Sequence, residues 1–364
     1  MKFTTISTLL AIAPSALADW HFAKGKDIKY TPVEGIFMQD DAATNPSTFD
    51  YTHWNFGLLN RTYPTDPKNP RKGYTTQWER LAQYVKSLNR NASRDRTRYK
   101  ILVMGRHGQG WHNAAESYYG TPAWNASHPP SFHTGNGTAV WEDALLTPAG
   151  FSEAYKANAY FRSRFQDHGM PFFESYYASP LARCVVTARE TFKGLDLPKS
   201  KPFEPVVKEY LREGMTVHTC NRRSNKTYIE TLAPKVKFEK GFTEHDELWK
   251  GDLSETAEHQ LARSKELLDD VFTSDNSVWI SFTSHSGQIT GILQALNHRP
   301  FRLATGQIIP VLVRADVVTE EPTPTFVGWV PESTCDAPPV TSIAGQGCVC
   351  STATTLASSP TEAM

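Results

Sequence analysis

The sequence predicts an α/β fold, a three-layer α/β/α sandwich whose mixed, mostly parallel sheet is covered by helices on both faces. Three apolar stretches predict it. Ile101-Leu102-Val103-Met104, Tyr176-Tyr177-Ala178 and Val278-Trp279-Ile280-Ser281-Phe282-Thr283 each read as a buried strand. The first ends in Arg106-His107-Gly108, the second passes through Ser179-Pro180 to Arg183 in a first helical turn, and the third ends in His285-Ser286-Gly287. Open α/β sheets bind their ligands at the carboxyl edge of the strands. If these strands are parallel, Arg106, His107, Arg183 and His285 converge there.

The remaining elements follow in chain order. Met1-Lys2, the mostly apolar stretch Ile6 to Pro14 and Ala16-Leu17-Ala18 form a signal peptide over 1–18 with cleavage before Asp19, so the product is expected to be secreted. That apolar stretch is too short to span a bilayer, and no membrane anchor is expected. Residues 20–100 are aromatic and proline-rich, include Phe49-Asp50-Tyr51-Thr52-His53-Trp54-Asn55-Phe56, and close on a helix from Thr76 to Asn89. After the first core strand comes a connection from Glu116 to Trp141, longer than compact domains usually carry, with Trp124, His128 and His133. It reads as a substrate-selecting rim over 117–141 or as a decorated surface loop. Pro205-Val206-Val207 is a further strand, and Thr243-Glu244-His245-Asp246-Glu247-Leu248-Trp249 reads as a helix start or a solvated face. One catalytic domain therefore covers 19–331, and a Ser/Thr/Ala-rich tail with three cysteines covers 332–364.

The chemistry at Arg106-His107-Gly108-Gln109-Gly110 points to a phosphate anion. An arginine fork stays charged and can make two parallel hydrogen bonds to one phosphoryl group, while a neighbouring imidazole can attack phosphorus and hold the group covalently. Gly108 and Gly110 let the chain turn tightly, so backbone N–H groups at the next helix start can face the ligand.

Together, Arg106-His107-Gly108 with Asn113, Ser179-Pro180-Leu181 with Arg183 and Thr187-Ala188, Leu211-Arg212-Glu213, and Ser284-His285-Ser286-Gly287 resemble the histidine phosphatase superfamily, of phosphoglycerate mutase-like fold. The motifs span about half the chain in the family's order, and Arg-His-Gly-Gln-Gly-Trp-His-Asn is most similar to fungal members. Ser286 stands where the acid phosphatase and phytase branch places an aspartate. The resemblance implies His107 as the nucleophile that becomes phosphohistidine. It implies Arg106, Arg183 and His285 as binders of the phosphoryl oxygens, and Asn113 as a neutral amide donor. Glu213 is implied as the proton donor, with Glu209 and Glu116 as rival carboxylates. Positive neighbours should keep His107 neutral. Gly110 stands where many mutases carry serine or threonine. The expected activity is phosphomonoester hydrolysis on a small phosphorylated substrate. A phosphoglycerate mutase-type transferase and a noncatalytic phosphate-binding protein are the alternatives.

Composition excludes other classes. The formal net charge is zero and the basic residues are scattered, so no nucleic-acid partner is indicated, and 39% hydrophobic residues allow one large domain. Neither cofactor nor metal is expected, because His112, His128 and His133 follow no recognised ligand spacing. Asn60, Asn91, Asn125, Asn136 and Asn225 each open an Asn-x-Ser/Thr glycosylation sequence. Five cysteines fit an oxidising compartment. A pair among Cys335, Cys348 and Cys350 plus a bond to the body at Cys184 or Cys220 is an open arrangement, with Cys184 itself read as a buried small hydrophobe.

Overall fold

The computed structural model describes residues 25–68, 76–121, 124, 134–319 and 327–331. The leader at 1–18, Asn125, His128, His133 and the tail from 332 with its three cysteines lie outside the described residues. In chain order the strands are β1 (Lys26–Pro32), β2 (Thr97–Arg106), β3 (Ser175–Ala178), β4 (Val206–Val207), β5 (Lys237–Phe238), β6 (Leu253–Glu255), β7 (Trp279–Ser284), β8 (Ile308–Thr319) and β9 (Trp329–Pro331). Seven of them form one sheet in the order β1-β8-β2-β7-β3-β4-β5. The run from β2 through β7, β3 and β4 to β5 is parallel, and β8 and β1 close the other side antiparallel. The mixed, mostly parallel sheet is the expected one.

Seven α-helices are described: α1 (Gln77–Asn91), α2 (Trp111–Tyr119), α3 (Pro148–Asp167), α4 (Ala182–Phe192), α5 (Lys226–Leu232), α6 (Ala257–Ser274) and α7 (Ser286–Ala295). Alternation in β3 shows how the layers divide. Tyr176 packs its ring on Phe192 of α4, whereas its neighbour Tyr177 packs on Phe282 and donates its hydroxyl to Asp275 at the end of α6. Trp78 of α1 lies against Trp279 on the Tyr176 side, and Phe161 of α3 joins the same aromatic cluster through Phe192. On the opposite side, α6 and α7 contribute Leu268, Val271, Phe272, Ile289 and Ile292, all buried.

Local sequence explains the boundaries. Thr76 and Glu79 make a reciprocal capping box, so α1 starts at Gln77 and continues two residues past the expected end to Asn91. The segment Phe49 to Phe56 is core: Phe49, Tyr51 and Phe56 are buried, with Tyr51 stacked on Phe56. Helix α4 starts at Ala182, after Ser179-Pro180-Leu181 has formed the turn, because Leu181 is still extended. The acidic run at 243–249 starts no helix, and Glu244, His245 and Glu247 are exposed as on a solvated face, while the Asp246 side chain turns inward. Asp246 is buried against Arg212, and its Oδ1 accepts the N–H groups of Leu248 and Trp249.

Cys184 and Cys220 are free, buried thiols, and Cys184 is the buried residue expected. Burial pushes the Cys220 thiol up to about 12, which makes it inert at neutral pH. Asn60, Asn91, Asn136 and Asn225 are exposed. No helix among the described residues is long and apolar enough to cross a membrane.

Candidate active site

Parallel pairing sets Arg106 of β2 opposite Ser284 of β7, and Ala178 of β3 opposite Thr283 of β7. The three strands therefore end level, and the side chains that follow them meet at one edge. His107 is held by its own backbone: its N–H donates to the Ser284 carbonyl at 2.9 Å, and its carbonyl accepts from Gly306 at 3.0 Å. The ring is 1% exposed. Its Nδ1 lies 2.7 Å from the Gly108 carbonyl. A carbonyl only accepts, so Nδ1 carries the proton and Nε2 presents a lone pair. Arg183 places its Nε 3.3 Å from that Nε2 and anchors its Nη1 on the Cys220 carbonyl at 2.8 Å. Arg106 donates from Nη1 to the Leu303 carbonyl at 2.9 Å. His285 stands with its ring 4.9 Å from that of His107, and its Nε2 is 2.8 Å from the Ser179 hydroxyl. Cys184 completes this cradle, its Sγ 3.3 Å from the same nitrogen.

Glu213 enters from the side. Its carboxyl oxygens accept the backbone N–H groups of Gly287 at 3.3 Å and Gln288 at 2.9 Å in the first turn of α7. A Cβ on Gly287 would land on the Glu213 Oε1, so this glycine is what lets the carboxylate approach. The backbone of Glu213 is fixed by buried Arg263, which motif reading missed, and flanked by buried Arg212, which the motif contains but without a role of its own. Arg263 of α6 donates to the carbonyls of Tyr210 at 3.1 Å, Arg212 at 2.9 Å and Glu213 at 3.3 Å, and pairs with Glu255 at 2.7 Å. Arg212 forms a two-pronged pair with Asp246, at 2.9 and 2.6 Å.

Of the rival carboxylates, Glu209 is engaged away from His107 and Glu116 stays near the pocket. Glu209 is bound by Arg212 and Arg223 at 3.3 and 2.6 Å. Glu116 lies on α2, within electrostatic reach of Arg106. Asn113 accepts the Gly110 N–H on its Oδ1 at 3.0 Å, so the carbonyl end of the amide caps α2 and only the NH2 end is left to donate. Of the long connection, Trp124 stacks face to face on His218, with ring centroids 5.2 Å apart, and Trp141 is buried beside it. A third imidazole, His112, stands 5.4 Å from His107. Among the described residues no cluster of three or more His, Cys, Asp or Glu side chains could hold a metal ion.

Burial, followed by the guanidiniums of Arg183 and Arg106, holds His107 well below the ordinary histidine pKa. Burial and Arg183 do the same to His285 and His112, with the neighbouring imidazoles adding to the effect. Neutral rings suit both attack on phosphorus and hydrogen bonding to a bound oxyanion. Neutrality has a stability consequence. Once unfolded, each ring titrates near its free value of about 6.5. Below that pH the unfolded chain binds more protons, and stability falls towards the depressed folded values. Three such rings give a slope of up to about 4 kcal/mol per pH unit. Urea midpoints measured from pH 7 down to about pH 5 should decline steeply, and a flat profile would show that the folded rings are charged.

The fold and motifs have relatives. The chain belongs to the histidine phosphatase superfamily, branch 1, whose pattern matches residues 128–314. That stretch includes Arg183, Glu213 and His285, while Arg106 and His107 precede it. A "Probable phosphoglycerate mutase" of Arthroderma benhamiae is 45% identical over 315 residues, covering 86% of this chain and 93% of the relative. A "Phosphomutase-like protein 3" of Candida albicans is 33% identical over 311 residues, covering 83% and 87%. A probable phosphoglycerate mutase of Saccharomyces cerevisiae is 31% identical over 243 residues, covering 61% and 81%.

Proposed function

We propose that the protein hydrolyses phosphate monoesters through a phosphohistidine on His107. The observation that carries this reading is the setting of His107: Nδ1 lies against the Gly108 carbonyl, which requires the ring proton there, and leaves Nε2 unprotonated beside the Arg183 guanidinium. In the first half-reaction Nε2 bonds to phosphorus as the bond to the ester oxygen breaks, and Glu213 gives its proton to the departing alkoxide. In the second, Glu213 takes a proton from water while the water oxygen attacks phosphorus. The P–N bond breaks, phosphate leaves and His107 returns to neutral. Arg106, Arg183 and His285 stabilise charge on the phosphoryl oxygens throughout, and such fixed donors usually supply the largest share of the barrier reduction.

A second reading, mutase-type transfer back to an acceptor hydroxyl, draws support from the names of the relatives and uses the same residues. Phosphate release from alkyl phosphates without any bisphosphoglycerate primer, with an acid-labile phosphoenzyme trapped in rapid quench, is the expected result. Turnover that requires primer and releases no phosphate would select the mutase. Phosphate binding without turnover would select a binding protein.

Gly287→Ala tests the carboxylate's seat. The new methyl displaces Glu213, so turnover of alkyl phosphates should fall by at least about tenfold, with a packing cost of roughly 1–3 kcal/mol. Wild-type turnover in this variant would detach Glu213 from the chemistry. The leader and the exposed Asn60, Asn91, Asn136 and Asn225 support a secreted glycoprotein, which endoglycosidase treatment of protein recovered from the medium tests by a mobility shift.

A further inference from the structure

His112 takes no part in the reaction as proposed, yet it is built into the pocket. The ring is 8% exposed, and its Nδ1 is buried with no hydrogen-bond partner. Leaving a buried polar atom unpaired is costly, and native proteins do it rarely. Gly110 supplies an independent observation. Its φ of −95° and ψ of 163° suit any L-residue, so backbone conformation does not call for glycine here. Space does: a Cβ at 110 would lie 2.7 Å from Nδ1 and 2.8 Å from Cε1 of His112, and 3.5 Å from Cδ of Arg183. The imidazole thus fills the room through which a side chain at 110 would reach Arg183. Its ring faces His107 across 5.4 Å, and both belong to the turn and helix that start at the phosphoryl-binding edge.

We infer that His112 is a further substrate-binding residue, admitted by Gly110, whose neutral imidazole donates a hydrogen bond to an oxygen of the phosphoryl group at His107. The inference rests on the phosphohistidine reading for where that group sits. A neutral ring keeps one N–H donor and adds no charge to a pocket that already holds Arg106 and Arg183. Gly110 and His112 then act as a pair, because a side chain at 110 would push the imidazole of 112 out of its present position.

The test uses inorganic phosphate as the probe, with affinity read by titration calorimetry at pH 7 on the full chain. His112→Phe keeps the ring shape and removes the donor. It should bind phosphate roughly ten- to hundredfold more weakly, the range for one hydrogen bond to a charged group, with an unchanged or raised melting temperature. Gly110→Ser alone should weaken binding by displacing the ring, and Gly110→Ser with His112→Ala should recover part of the loss. Wild-type affinity in a folded His112→Phe variant overturns the inference. Should that variant fail to fold, wild-type protein carrying 15N-labelled histidine decides the matter. Phosphate must then shift the His112 ring nitrogens, and unmoved resonances at saturation overturn it. Failure of the phosphohistidine reading looks different, since phosphate would bind and depend on His112 while no phosphoenzyme formed.

Discussion

Replacing His107 with alanine should lower phosphate release from p-nitrophenyl phosphate by at least about 10⁴-fold and abolish the trapped phosphoenzyme, a loss of the order seen when other covalent enzymes lose their nucleophile. The size of the effect follows from the geometry. Arg106, Arg183 and His285 have their own anchors on Leu303, Cys220 and Ser179, so they stay in place when the ring is removed. Phosphate should still bind while turnover stops. That combination separates loss of a nucleophile from collapse of the pocket. A rate within tenfold of wild type would exclude His107 as the group that attacks phosphorus and direct attention to His285, the imidazole 4.9 Å away.

Glu213→Gln should divide substrates by their leaving groups. Glutamine keeps one acceptor oxygen for the 2.9 Å bond from Gln288, gives up the longer 3.3 Å bond from Gly287 to the other oxygen, and has no proton to give. Alkyl phosphates, whose alkoxides leave poorly, should slow by about 10² to 10⁴, the usual contribution of a positioned acid. p-Nitrophenolate leaves without help, so the first step on p-nitrophenyl phosphate should change little. Removal of the phosphoryl group by water also needs Glu213, and a burst followed by accumulated phosphoenzyme is the expected signature. Equal slowing on both substrates, with no accumulation, would count against Glu213 as the acid.

The edge of the sheet was legible because its strands carry their own evidence. Apolar runs long enough to be buried end in arginine, histidine or glycine, and parallel pairing of β2, β7 and β3 brings those ends level. Glu213 could be named from its segment, but what holds it could not. Arg263 lies about 50 residues further along the chain, and no local pattern links a helix arginine to three carbonyls of a distant turn. Asp246 was misread because an acidic run usually faces water, and only the buried Arg212 reverses that. A weak signal was present: aspartate two and three residues before Leu248 and Trp249 can close a turn on itself, which competes with a helix start. His112 is grouped in the sequence only with His128 and His133, a set without metal-ligand spacing, whereas its informative neighbour is Gly110.

The position of β2 has a consequence for how the chain is made. This strand, apolar and wholly buried over Ile101 to Met104, pairs with β7 and β8 and with no strand that precedes it. Its first partner begins at Trp279, about 170 residues later, so at about 5–20 residues per second the strand waits on the order of 10 to 30 seconds of synthesis without either neighbour. The stretch that presents the nucleophile is therefore also an apolar strand left unpaired on the nascent chain, and it stays so until β7 and β8, in the last quarter of the sequence, have emerged.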